Sequence, residues 1–224
     1  MIKQESTKFL WLRSKDKPKR KTKDVPIFLD QELYDKLEEL INKTNWNYKS
    51  KYKDLLINRD HALIALIILS GVRIGEALKL KRLQFKIYKD HILLKNVETE
   101  KNGKLRSEII LPKTGNFARF TFIVESWLSN IPKEDGYVFP SGSRYGLNFY
   151  LPQTRSRAHW IIKSTTGRFP HWYRAVCENI YGKLVFDNNA YKAQRLYGFI
   201  INLASTDPFI QSDWTEDKEK IFKL

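Results

Sequence analysis

The stretch HALIALIILSG, residues 61–71, constrains the fold more than any other part of this chain. Apolar side chains point in every direction around a 3.6-residue period, so a helix formed here has no solvent face and must be enclosed by other elements. It belongs to a helix read over DLLINRDHALIALIILS, with Gly71 placed to end it in a left-handed conformation. At 42% hydrophobic and 13% aromatic, 224 residues can supply that enclosure.

The remaining elements follow from their periodicities. FLDQELYDKLEELI reads as a helix capped by Asp30, with Leu33, Leu37, Leu40 and Ile41 on one face. NKTNWNYKSKYKD reads as polar loop. GEALKLKRLQ continues helical after Gly71. Residues 84–112 are rich in Ile, Val and Leu, and the Asn102-Gly103 pair is a hairpin signal, so a small antiparallel sheet is expected there. NFARFTFIVESWLSNI is helical, GYVFPSGSRYGLNFYLPQT reads as loop, and RSRAHWIIKSTTG as helix then turn. Two further helices are expected over HWYRAVCENIYGKLV and AYKAQRLYGFIINLA. The expected class is α+β, mostly helical, with a three-stranded sheet. Residues 1–25 form a basic tail and 26–224 one domain, with 210–224 as the segment for subunit contacts.

Charge narrows the partner. Forty Lys and Arg against 25 Asp and Glu give +15, which points to a polyanion, nucleic acid first. No apolar run approaches the ~20 residues of a spanning helix, and the N-terminus lacks the apolar stretch of a signal peptide. An intracellular protein without membrane partner is expected. The single cysteine, Cys177, excludes an internal disulfide and a cysteine-built zinc site, and no metal is expected. The first 24 residues hold nine Lys or Arg, with Lys19, Arg20 and Lys21 in the densest run, a pattern suited to nonspecific phosphate contact.

Three fragments place charge where it needs explanation. In SGVRIGEALKL, Arg73 follows the buried helix and Glu76 comes three residues later. Either the two form a structural ion pair at a helix end, or Arg73 faces an anionic ligand and Glu76 holds it. In GRFPHWYRAV, His171 and Arg174 share a helical face behind Pro170, which suits a first turn. They are either surface residues of a capped helix or a phosphate-binding pair. In TEKNGKLR, Lys101 and Lys104 sit at a turn tip, as solvated lysines or as a mobile charge able to reach a phosphodiester. From Gly136 to Cys177 there is no Asp or Glu, where about four or five are expected from their overall frequency. The same stretch carries Arg144, Arg155, Arg157, Lys163, Arg168 and Arg174 among Tyr, Trp and Phe, the pattern of a nucleic-acid face.

Together these fragments resemble the catalytic domain of the tyrosine recombinase/integrase superfamily over roughly residues 26–215. SGVRIGEALKL fits its first box, T/S-G-x-R-x-x-E-x-x-x-L; PHWYR fits its H-x-x-R; and KNGK before EIILP fits the lysine-bearing hairpin between them. FPHWYRA followed by QRLYGF is closer to archaeal and archaeal-virus integrases than to bacterial ones. The resemblance implies cofactor-free, site-specific cleavage and rejoining of double-stranded DNA through a 3′-phosphotyrosine. Arg73 and Arg174 would clamp the scissile phosphate, His171 would act as general acid/base, and Lys101, or else Lys104, would protonate the leaving 5′-oxygen. Glu76 would orient the cluster.

Phe199 falls where the family has a His or Trp, and Phe209 falls where it has its nucleophilic tyrosine. Phenylalanine cannot form the phosphotyrosine link. Either Phe209 replaces a tyrosine to hold DNA uncleaved, which the otherwise intact cluster favours, or the chain is a naturally inactive relative serving as an architectural or regulatory DNA-binding protein. Attack by Tyr191 or Tyr197 competes with a packing role for those rings. An RNA-binding protein is the remaining reading of the charge. The resemblance also implies a tetramer on DNA. The residues before Asp60 are too few for a full N-terminal DNA clamp, so a compact family member or an isolated catalytic fragment is expected.

Overall fold

In the computed structural model the apolar run forms helix α1, Lys53–Ser70, and every side chain from Ala62 to Leu69 is fully buried. The structure describes residues 35, 39, 49–100, 103, 105–106, 108–115, 117–132, 135–143 and 145–180. Of the helix expected near residue 30, only Asp35 and Glu39 are described, and both are helical. The expected basic tail, the helix over AYKAQRLYGF and the C-terminal contact segment lie outside the described residues.

Gly71 ends α1 at φ 57°, and its N–H donates to the Ile67 carbonyl at 2.9 Å. That conformation costs an L side chain but not glycine. The chain then runs extended through Arg73 and enters the short helix α2, Ile74–Leu78. The expected continuation of this helix through Gln84 is not what forms. A 3-10 turn at Arg82–Gln84 follows a break, because the backbone of residues 80–82 is used elsewhere. Val138 N–H donates to Leu80 O, Arg82 N–H donates to Gly136 O, and Lys81 bridges Tyr137. A helical ladder would have to give up those bonds.

The expected three-stranded sheet is present. Strands β1 (Phe85–Ile87), β2 (His91–Leu94) and β3 (Ile109–Pro112) pair antiparallel in that order. Phe85 faces Leu94, and His91 faces Pro112. The connection from β2 to β3 folds back on itself, with Glu98 bridging Leu105 and Gly103 at φ 62°. Gly103, the described half of the expected hairpin signal, therefore lies in a reversal within an excursion rather than directly between the sheet strands.

Helix α3, Ala118–Leu128, packs along α1 and against β2 and β3. It buries Trp127, whose indole N–H donates to Val138 O at 2.7 Å. Trp127→Phe removes ring area and strands that carbonyl, so we expect a loss of about 2–3 kcal/mol in urea unfolding.

Residues 136–154, expected as loop, contain a hairpin instead: β4 (Pro140–Ser143) and β5 (Gly146–Pro152) pair antiparallel, with an irregularity between Pro140 and Ser141. Most of β5 is at least partly exposed, so no alternation of apolar and polar residues announces it. It is anchored from the core. Arg59, buried in α1, pairs with Asp60 at 2.8 Å and donates from Nη1 to Pro140 O at 2.9 Å.

Helix α4, Arg155–Thr166, starts at Thr154, whose hydroxyl accepts from Arg157 N–H, and ends at Gly167 with φ 70°. Helix α5, Pro170–Ile180, begins at its proline as expected and packs Tyr173, Val176 and Cys177 into the core beside α1. No described helix is long and apolar enough to cross a membrane.

Candidate active site

The two motifs, a hundred residues apart in sequence, meet because α5 lies against α1. Arg174, 5% exposed on the inner side of α5, donates from Nη1 to the carbonyl of Gly71, the residue that ends α1. That bond fixes the H-x-x-R helix beside the turn that carries Arg73. One turn back, His171 is exposed.

A cleft of about 370 Å³ opens between these elements. Val72, Arg73 and Ile74 line it from the α1–α2 turn, Glu100 from the hairpin, Arg155 and His159 from α4, and Pro170, His171 and Arg174 from α5. The three positions on which the sequence reading depends, 73, 171 and 174, thus share one wall system. Arg155 and His159 are four apart and present the same face of α4.

Beneath the cleft, Glu76 is the hub. Its carboxylate is fully buried and accepts from Arg73 N–H at 2.9 Å and Arg73 Nη1 at 2.8 Å. It also accepts from Arg106 Nη2 and, at 3.4 Å, from Glu100 N–H. The two readings of Arg73 and Glu76 are therefore compatible: the ion pair exists, and Arg73, with its side chain 27% exposed, still reaches the cleft.

Arg106 is the member that sequence reading missed. Burial lowers its pKa to about 10, the Glu76 carboxylate opposes that shift, and the nearby Arg174 and Arg73 reinforce it. It stays cationic at neutral pH. Three guanidiniums therefore gather near one buried carboxylate. Nothing local marks Arg106 in the sequence; it precedes an apolar strand, and its partner lies 30 residues away. Glu100 and His159 were missed for the same reason.

The other expected basic residues fall into separate groups. Arg155 lines the cleft and pairs with Glu100 at 3.2 Å. Arg157 lines a different hollow of similar volume, with Lys49, Arg59 and Gln153, and lies 4.6 Å from the Trp160 ring centroid. Lys163 stands over Phe169 and Arg168 over Trp172, at 4.8 and 5.1 Å. Trp160 and Phe169 are exposed, so α4 and the turn after it offer cations and aromatic faces together. Lys101, Lys104, Arg144, Phe199, Phe209, Lys19, Arg20 and Lys21 lie outside the described residues. Among the described residues no group of three or more His, Cys, Asp and Glu could hold a metal ion.

The fold has known counterparts. The chain is similar to the XerH site-specific recombinase bound to its difH substrate in a pre-cleavage complex, with a TM-score of 0.51 and 19% identity over 88% of this chain and 55% of that one. For the XerH post-cleavage complex with palindromic difH, the TM-score is 0.52 at 19% identity, over 89% and 52% of the two chains. A lambda integrase tetramer bound to a Holliday junction aligns at 0.49 and 14% identity, over 81% and 49%. The chain spans about half the length of these recombinases. No protein-family model matches the sequence, and no curated protein matches it. The architecture is a tyrosine-recombinase-like fold, helix-rich with a small three-stranded antiparallel sheet.

Proposed function

We propose that the chain is the catalytic domain of a site-specific DNA recombinase of the tyrosine type, and that the cleft grips one phosphodiester of double-stranded DNA. The observation that carries this reading is the shared cleft of Arg73, His171 and Arg174, in a chain of net charge +15.

In this mechanism the two guanidiniums bind the non-bridging oxygens of the scissile phosphate. Negative charge grows on those oxygens as the phosphorus becomes pentavalent, so fixed cations stabilise the transition state more than the ground state. His171, exposed at the cleft edge, donates a hydrogen bond or moves the proton of the attacking hydroxyl. With a tyrosine in place of Phe209, its oxygen would attack phosphorus, the bond to the 5′-oxygen would break, and Lys101, or else Lys104, would give that oxygen its proton. Rejoining reverses the sequence. Glu76 neither touches DNA nor moves protons; it holds Arg73 and Arg106 in place. Arg155, Arg157, Lys163, Arg168 and Arg144 extend the contact along the backbone, with Lys19, Arg20 and Lys21 adding further positive charge. Work on two DNA partners requires several copies, and a tetramer satisfies that, with 210–224 as its contact segment.

Phe209 supports a second reading, in which the chain binds DNA as an architectural or regulatory protein and performs no chemistry. One experiment separates them. Phe209→Tyr protein incubated with nicked duplexes carrying its target should become covalently linked to DNA, seen as a mass shift in denaturing gels. Binding of the target without any adduct leaves the non-catalytic reading.

A further inference from the structure

Glu100 is the one acid among the described residues that line the cleft, which it shares with Arg73, Arg155, Arg174, His159 and His171. Its position is specific. Its backbone N–H donates to the buried Glu76 carboxylate at 3.4 Å, and its side chain accepts from Arg155 Nη1 at 3.2 Å. The carboxylate rests on Gly75 in α2. A methyl group added to Gly75 would overlap Glu100 Oε1, the nearest atom, and crowd its Cδ as well. Glycine at 75, with no positive φ to require it, thus leaves a recess one carboxylate wide.

A carboxylate and a phosphate group present the same thing to an arginine: anionic oxygens spaced for a guanidinium fork. We propose that Glu100 is a built-in stand-in for the phosphate, seated over Gly75 in the position that the phosphate of the bound ligand takes. This rests on the reading of the cleft as a phosphate site. Ligand entry is then an exchange. Glu100 leaves the recess, Arg155 passes from its carboxylate to the phosphate, and Arg155 keeps an anionic partner throughout. The pair to be broken is weak, since the Arg155 side chain is 66% exposed and water screens the attraction. The exchange therefore lowers affinity for stray anions while leaving a ligand with many phosphate contacts able to displace the plug.

The test uses inorganic phosphate as the probe and the imidazole NMR resonances of His171 as the readout, in the full chain. Glu100→Gln and Glu100→Ala should each bind phosphate roughly tenfold more tightly than the unsubstituted protein, because one like charge near the anion has gone. Adding Gly75→Ala to Glu100→Ala should abolish that gain, since the methyl fills the recess with no acid left to displace. Circular dichroism melting checks that each variant folds. Equal phosphate affinity with and without Glu100 overturns the proposal and leaves the cleft as a phosphate site. A double variant that keeps the gain overturns the shared position. Failure of phosphate to move His171 in any of the proteins, Glu100→Ala included, removes the phosphate reading of the cleft itself and the plug with it.

Discussion

In a Phe209→Tyr protein that forms the covalent adduct, Arg73→Ala is expected to slow DNA cleavage by about 10²–10³ while the fold survives, the range measured when one fixed donor to a transition-state oxyanion is removed. Arg73 suits this test better than Arg174 because of what each holds. Arg174 is 5% exposed and bonded to Gly71 O at the junction of α1 and α5, so its loss confounds chemistry with packing. The Arg73 side chain is partly exposed, and alanine keeps the backbone N–H that Glu76 accepts. Glu76 also keeps its bond from Arg106. Stability should therefore fall by only about 1 kcal/mol, the worth of one half-exposed charged hydrogen bond. Single-turnover cleavage at saturating protein separates the effect from DNA affinity. A rate within threefold of the parent would remove Arg73 from the chemistry.

The opposite balance is expected at Glu76. Glu76→Ala should cost about 3–5 kcal/mol in urea unfolding, the range found when one partner of a buried ion pair is removed. The carboxylate is the counter-charge for buried Arg106, which is already held down to about 10 by burial and by two neighbouring guanidiniums. Without it, Arg73 and Arg106 lose the carboxylate they share, with Arg174 close by. Backbone N–H groups of Arg73 and Glu100 also lose their acceptor. Glu76→Gln keeps an acceptor oxygen but not the charge and should fall between the two. A loss below 1 kcal/mol for Glu76→Ala would show that the charges relax into solvent and that Glu76 is not the hub.

How much of this was legible in advance depended on the range of the forces involved. The buried helix, its stop at Gly71 and the Pro170 start of α5 all follow from contacts within a few residues, and all formed as expected. The β4–β5 hairpin did not show because its side chains are largely solvated, so the pairing left no hydrophobic period to read. The helix expected through Gln84 broke because residues 136–138 compete for its backbone, and that competitor lies more than 50 residues downstream. Arg106, Glu100 and His159 were missed as site members for an equivalent reason: an ordinary charged or aromatic residue acquires a role only from neighbours that sequence does not place beside it.

The sequence alone therefore determined the parts: a helix too apolar to be anywhere but inside, a basic surface without acids from 137 to 176, and two motifs whose internal spacing put Arg73 with Glu76 and His171 with Arg174. Only the tertiary structure decided which charges meet. The packing of α5 on α1 brings Arg174 to Gly71, and the hairpin delivers Arg106 and Glu100 to opposite ends of one buried carboxylate's network. Periodicity is a property of adjacent residues, whereas electrostatic energy depends on distance through space, and the chain's order along its length does not reveal that distance.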